Sequence, residues 1–360
     1  MAPMESVSTT IAEPSRYNAL AEVSIAHSRV PGENTVRNIE RCIISDVLHL
    51  QSSRPHRPVP VANFELHDVE SMSVPGYSAL LEQVTVIVVT YNSEHCMRRL
   101  ATGLRNLPNV IVVDNASQDQ TIQAVNSVLP EATLITLSAN KGYGAANNIA
   151  LARVRTPYAL LLNPDCVVLE SDIVALVTGG NEWPQATLLV PQLLDARGNM
   201  QLNYSWPRRF WVPRTGPAQG PLAVGYACAA TMLVNMAALQ PVGFFDERFF
   251  LYYEDEDLCL RVFQRHGQIL VLPSVRITHL SRGSVRGPRP SRTEYLRGYH
   301  HVQSKIFFIR KHAGTRAAST ARARVMLSAG FVVLVRLLTF SPRLLARAWG
   351  RLVGILTLPP

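Results

Sequence analysis

Two sets of carboxylates stand where chemistry could be done. The first is Asp165, at the end of LLNPD, where an apolar run from Tyr158 to Leu162 meets Asn163 and Pro164. Such a run reads as a central strand of a parallel sheet, buried on both faces. Proline offers no amide to that strand and keeps its predecessor extended. The Asp165 carboxylate should therefore emerge just past the strand's carboxyl end, the edge at which open α/β sheets bind ligands. There it can hold Mg²⁺ or Mn²⁺ against a diphosphate, although a lone Asp after Pro also serves as a plain turn residue. The second set is Glu254-Asp255-Glu256-Asp257, which follows an aromatic run and opens a helix with Leu258, Val262 and His266 along one side, stopped by Gly267. Crowded like charges raise one carboxyl toward the range of a general base. The alternative is an acidic first turn that complements the helix dipole, a role that falls to Asp257.

The elements that position these groups follow from periodicity. VTVIVVT, VIVVD, TLITL and YALLLN begin near 84, 110, 133 and 158, at intervals of about 25 residues that suit repeated βα units and a parallel α/β core. A helix is expected over Thr121 to Val128, with Ser117 and Gln120 before it at the spacing of a capping box. TLLVP (187–191), ATMLVN (230–235), QILVLP and VRITHL read as later strands, with a Pro- and aromatic-rich loop around Trp206 to Pro221. Three further loops share the ligand edge. Thr90-Tyr91-Asn92-Ser93 follows the first strand in place of a G-x-G-x-x-G turn, which weakens a dinucleotide-dehydrogenase reading. Asp114-Asn115-Ala116-Ser117 is acceptor-rich and suits a uracil or thymine ring or a ribose; Asp114 and Ser117 could instead only cap the next helix. NKGYGAANNIAL supplies Asn140, Gly142 and Gly144 before a small-residue helix with Asn147, whose amino end could favour a phosphate or be a simple turn.

Taken in order, VIVVTYNSE, VVDNASQD, NKGYGAANN, LLNPDC, GFFDERFFLYYEDEDLCLR and THLSRGS resemble the family 2 glycosyltransferases of the GT-A fold, in particular their rhamnosyltransferase-like branch, over residues 84 to about 285. The resemblance implies that Thr90, Tyr91, Asn92, Asp114 and Asn115 bind the nucleotide, with Ser117, Asn140, Gly142, Asn147 and Asn163 along the nucleotide-sugar site. It also implies that Asp165 is the metal-binding member of a DxD-type motif, that His279 completes the metal site with Mn²⁺ or Mg²⁺, and that Asp255 is the base. Glu254 and Asp257 then support the acceptor side and the helix. Asn163-Pro164-Asp165 departs from Asp-x-Asp and leaves one certain carboxylate for the metal. The implied reaction is inverting transfer of a sugar from a UDP- or dTDP-sugar, dTDP-rhamnose among them, to a glycan or lipid-linked glycan acceptor in bacterial polysaccharide or cell-envelope synthesis. A nucleotidyltransferase would want a Gly-rich, Arg/Lys-bearing loop after strand one, which TYNSEHC lacks. A catalytically silent, membrane-bound nucleotide-sugar-binding protein is the other alternative. LSRGSVRGPRPSR, with Ser281, Ser284 and several arginines, could close over the diphosphate or be a solvated linker.

Length and composition agree with an α/β enzyme: 360 residues and 47% hydrophobic content allow a sizeable core. The excess of 35 Lys and Arg over 26 Asp and Glu lies in the tail, because no acid follows Glu294 while residues 295–360 carry 11 basic ones. That distribution points to an anionic surface touched by the tail and away from a nucleic-acid-binding body. Five unclustered cysteines favour a reducing compartment, and residues 1–30 lack the pattern of a secretory signal, so a cytoplasmic location is expected. Met326 to Phe340 is apolar but short for a spanning helix. A helix from Pro342 sets Arg343, Arg347 and Arg351 on one side and Leu345, Trp349, Leu352 and Leu356 on another, as suits the headgroup region of an anionic inner leaflet, or a helix packed on the catalytic domain. The expected division is an irregular arm over 1–82, the GT-A domain over 83–290 and a helical, basic, membrane-associated region over 291–360.

Overall fold

The computed structural model describes residues 76–205, 218–281, 283–285, 289–338 and 341–358. Most of the expected N-terminal arm, including the weak periodicity near Val36 to Leu50, and the loop from Trp206 to Pro217 fall outside these residues. After α1 (Tyr77–Leu81), β1 (Val84–Thr90) is buried at all seven positions. Around it, α2 (Glu94–Leu104), β2 (Val110–Asp114), α3 (Thr121–Val128), β3 (Thr133–Thr136), α4 (Tyr143–Leu151) and β4 (Tyr158–Leu162) alternate as the spacing requires. β5 (Cys166–Val167), α5 (Glu170–Glu182), β6 (Ala186–Leu194), β7 (Met200–Gln201), β8 (Tyr204–Ser205), β9 (Leu222–Val224), β10 (Tyr226–Ala227), β11 (Thr231–Asn235) and α6 (Met236–Leu239) follow. α7 (Glu254–Gln264), β12 (Gln268–His279), α8 (Pro290–Leu338) and α9 (Pro342–Leu356) complete the chain.

The main sheet runs β3-β2-β1-β4-β11-β6-β12-β5. Its first four strands are parallel, and β12 is parallel to β6, whereas β11 is antiparallel to both β4 and β6. The sheet is therefore mixed in its second half. The physical reason is that β6 leaves at the ligand edge and the excursion after it returns at that same edge, so β11 must run back down between β4 and β6. QILVLP and VRITHL form one strand, β12, whose pairing with β6 slips between Leu272 and Arg276, at Pro273, where a ladder amide is missing. Alternation along β1 sends Val86 and Val88 to a core with Met97, Leu100, Val125 and Ile173, and Ile87 and Val89 to a core with Ala146, Ala150, Leu258 and Val262.

Several local expectations change. Ser117 does not cap α3: its Oγ accepts from the Asn92 amide at 2.9 Å, and the Thr121 amide donates to Asp119 Oδ1 at 3.0 Å instead. α7 ends with His266 in the left-handed region (φ 59), not with Gly267. Gly267 is needed for closeness, since a Cβ there would meet Thr187 Oγ1 and Val262 Cγ1 at 2.8 Å. The four cysteines among the described residues are free thiols.

α8 is broken at Gly314 (φ 86). Its first half carries α9, against which Val302, Ile306 and Ile309 bury Ile355. Gly298 and Gly350 let the two backbones meet, for a Cβ on either would strike a carbonyl oxygen of the other helix, Arg347 O and Tyr295 O. Thus α9 packs on α8 along its glycine side while Trp349 and Leu356 of the expected apolar face stay more than half exposed, and Arg347 Nη1 lies 3.8 Å from Glu294. The second half of α8 leaves Leu327, Phe331 and Leu334 75%, 67% and 59% exposed, and α9 leaves Trp349 and Leu356 51% and 60% exposed.

Candidate active site

At the carboxyl ends of β1, β2 and β3 the polar loops interlock. Thr90 pairs with Asp114 in register, and its hydroxyl donates to Asp114 Oδ1 at 3.0 Å. Asp114 Oδ2 accepts from the Ser117 amide at 2.9 Å. Asn92 Oδ1 accepts from the Gln118 amide at 2.7 Å, with Asn92 and Ala116 both at positive φ. Asn115 binds the third loop, donating to Asn140 Oδ1 at 3.0 Å and accepting from the Lys141 amide at 2.8 Å. Tyr91, Asn92, Asn115, Asn140 and Gly142 line a cleft of about 820 Å³, together with Asn163, Asp165, Glu254, Asp255 and His279. Thr90, Asp114, Ser117 and Asn147 do not. Thr90 and Asp114 are buried against each other beneath the loops, and Asn147 donates to Tyr143 O at 2.9 Å within α4, so these side chains shape the wall without facing the cleft.

Asp165 is set by the short pairing of β5 with β12, in which His279 opposes Cys166. The Leu280 amide donates to Asp165 O at 3.0 Å and the Gly283 amide to Oδ2 at 2.8 Å. Oδ1 is buried without a hydrogen-bond partner and lies 3.6 Å from His279 Nε2. Burial by itself would raise this carboxyl, but His279 and the Gly283 amide outweigh it and hold the group below the usual carboxylate value. An ionised, orphaned oxygen beside an imidazole fits a divalent cation, for which both are suitable ligands. Among the described residues no cluster of three or more His, Cys, Asp or Glu forms, in line with Asn163 standing where a second carboxylate would.

Asp255 is tied to the same place by backbone. β11 pairs with β4 so that Thr231 opposes Leu162, and the Asn163 amide donates to Ala230 O at 2.8 Å. One residue earlier, the Ala229 amide donates to Asp255 Oδ2 at 3.3 Å, joined by the Tyr226 hydroxyl at 3.3 Å. The low-polarity surround raises Asp255, offset in part by those donors and the Glu256 amide. Burial and then the Asp255 charge push Glu254 well above its usual value, and its Oε2 has no partner. Tyr252 and Tyr253, which lead into α7, both have positive φ (69 and 67), a costly conformation, and just before them Phe250 O accepts from the Tyr143 amide at 3.1 Å.

Asp257 faces away from the cleft. It is fully buried and bound by Arg261 Nε at 2.8 Å, Lys311 Nζ at 2.6 Å and His312 Nε2 at 2.8 Å, the last two from α8. It thus supports the helix by anchoring α8 rather than through the dipole alone. Sequence reasoning missed the α8 wall, because the expected boundary at 290 cut through it: Arg292, Leu296, Arg297 and His300 all line the cleft. Their recurrence at helical spacing in GPRPSRTEYLRGYH was the available signal. Gln118, Tyr143 and Tyr226 were also missed.

The model described as glycosyl transferase family 2 matches residues 85–224. The chain is 29% identical over 272 residues to an N-acetylglucosaminyl-diphospho-decaprenol L-rhamnosyltransferase of Mycobacterium tuberculosis, covering 65% of this chain and 87% of the relative. It is 24% identical over 211 residues to a low-salt glycan biosynthesis hexosyltransferase of Haloferax volcanii, covering 54% of this chain and 67% of that one. Of solved structures, a mannosyltransferase from Pyrobaculum calidifontis with GDP-Man and Mn²⁺ is 16% identical and covers 90% of this chain and 98% of its own, at a TM-score of 0.48.

The anchor at Asp257 has a pH signature. Burial opposes ionisation there, but His312, Lys311 and Arg261 hold the carboxyl below its usual value in the folded chain. The unfolded chain then takes up the proton first, so the stabilisation is complete above about pH 5, one unit over the unfolded carboxyl's value, and is lost as pH falls through the lower folded-state value. Urea unfolding should show stability declining from pH 5 to pH 3. Asp257→Asn should cost about 3–5 kcal/mol at pH 7 and flatten that decline. Wild-type stability and slope in the variant would show that the cluster is not an anchor.

Proposed function

We propose that the chain is a family 2 glycosyltransferase of the GT-A fold, an enzyme that transfers rhamnose, with inversion, from dTDP-rhamnose to a lipid-linked glycan acceptor of the cell envelope. The observation that carries the reading is that Asp165 and Asp255 line one cleft and are joined through residues 229–230. The choice of sugar and of a diphospho-lipid acceptor is supported by the mycobacterial relative's name.

The loops at Tyr91–Asn92, Asn115 and Asn140 offer donors and acceptors for the nucleobase and ribose. Asp165 and His279 would hold a divalent cation, Mn²⁺ or Mg²⁺, which supplies charge neutralisation for the departing diphosphate. Asp255 accepts the proton of the acceptor hydroxyl as that oxygen attacks the anomeric carbon from the face opposite the diphosphate. A single displacement of this kind inverts the centre. Burial raises Asp255 and so strengthens it as a base, and burial with the Asp255 charge favours the protonated form of Glu254, which in that form can donate to a sugar oxygen. The catalytic unit runs past residue 290 to His312, since α8 both lines the cleft and grips Asp257.

The enzyme sits on the cytoplasmic face of the membrane. Support comes from the acid-free basic tail, from the Leu327, Phe331 and Leu334 face, and from a stretch of α8 with mean hydropathy 1.4, long and apolar enough by composition to cross a bilayer. By sequence alone the run looked too short; the helix extends it on its amino side.

Asp255→Asn should lower transfer on the order of 10²- to 10⁴-fold while dTDP binding, read by calorimetry, persists; an undiminished rate removes Asp255 as base. Mn²⁺ should tighten dTDP binding to the wild type and not to Asp165→Ala, and an equal response in both would move the cation elsewhere. Changing Leu327, Phe331 and Leu334 together to Ser should reduce sedimentation with anionic vesicles by about tenfold or more, given roughly 1.5–3 kcal/mol per buried side chain. Unaltered sedimentation would dismiss this face as the membrane contact.

A further inference from the structure

The α8 wall of the cleft is chemically graded. Arg292, Leu296 and His300 recur every fourth residue and so share one face. The His300 end is fixed beside the base: its ring stacks on Phe250 at 4.3 Å, and one turn on, Ser304 Oγ donates to Leu251 O at 2.9 Å, in the loop that leads directly to Asp255. The opposite end lies about 12 Å away, eight residues at the helical rise. There Arg292 and Arg289 reach the cleft, both exposed. Their neighbours are neutralised, since Glu294 takes Arg297 at 2.7 Å and approaches Arg347 at 3.8 Å. Among the described residues Arg289 and Arg292 have no ion-pair partner. The acids of the cleft wall, Asp165, Glu254 and Asp255, belong to other elements.

Two unneutralised guanidiniums at a cleft are suited to a phosphate, which they can hold with paired, charge-assisted hydrogen bonds. The donor's diphosphate would sit with the cation that Asp165 and His279 would hold. An acceptor sugar whose hydroxyl meets Asp255 sits at the His300 end, and what it is linked to extends along the face toward the arginines. We infer that Arg289 and Arg292 form an anion subsite for the acceptor, binding the diphosphate that links its sugar to a lipid, with Leu296, 40% exposed between the two ends, under the linkage. The inference rests on the lipid-linked acceptor proposed above.

The test uses the full chain with dTDP and Mn²⁺ at saturation, so that the donor pocket is filled. Farnesyl diphosphate should bind under those conditions, and Arg289→Gln with Arg292→Gln should weaken it on the order of 10- to 100-fold. In transfer assays the ratio of kcat/KM for a farnesyl-diphosphate-linked N-acetylglucosamine over the neutral octyl glycoside of that sugar should fall by a similar factor. Displacement of farnesyl diphosphate by dTDP, equal binding by the double variant, or an unchanged ratio would overturn the subsite. Transfer to the octyl glycoside without any binding of farnesyl diphosphate also overturns it, yet leaves glycosyl transfer standing. Intact, arginine-dependent binding with no transfer to any diphosphate-linked sugar keeps the subsite and removes the acceptor reading instead.

Discussion

The antiparallel seating of β11 against β4 is the constraint on which the site depends. A parallel strand there would deliver its amino end at the bottom of the sheet. Running back from the ligand edge, β11 instead starts beside Asn163, and the residues just before it lie between the two carboxylates. Ala230 receives the Asn163 amide while Ala229 donates to Asp255. Tyr143 adds its hydroxyl to Ala229 O at 2.8 Å, so α4 is locked to the same segment. Asp165 and Asp255, far apart in the chain, are thereby referred to one rigid ladder. Ladder hydrogen bonds hold such positions more closely than loop packing could.

Consecutive carboxylates in α7 show how environment assigns roles. Glu254 and Asp255 turn toward the cleft wall with few counter-charges, and both are raised. Asp257 turns toward α8 and is lowered by a histidine, a lysine and an arginine despite its burial. Residues i and i+2 on a helix point to different sides, so one short acidic run can serve a reaction on one face and an assembly on the other. Lys311 extends that assembly to Asp246 at 2.7 Å, itself pulled down by Arg248 and Lys311 against its burial.

Much of this was legible in the chain. The strands β1 to β4 came through because period, apolar runs and Pro164 agree, and local agreement of this kind marks a well-specified core. Asp165, Asp255 and His279, singled out by ordered motifs that resemble a family, line one cleft. The direction of β11 could not be read, since an apolar strand carries no mark of its polarity. Nor could the inward turn of Thr90 and Asp114, which depends on a cross-strand hydrogen bond between registered neighbours. The α8 wall escaped because its sequence resembles a basic linker until the aromatic loop it stacks on is in place. α9 presented an amphipathic pattern that served for lipid or for protein; the contacts at Gly298 and Gly350 give its small-residue side to protein, while Trp349 and Leu356 stay exposed.

The Ala229 donor is a main-chain amide, and that has an evolutionary consequence. Every residue type except proline carries the same group, so the hydrogen bond asks nothing of the side chain at position 229, and it is the burial of Ala229 that limits size there. A contact of this sort leaves no trace in side-chain identity, so kinship judged letter by letter passes over the amide that seats Asp255.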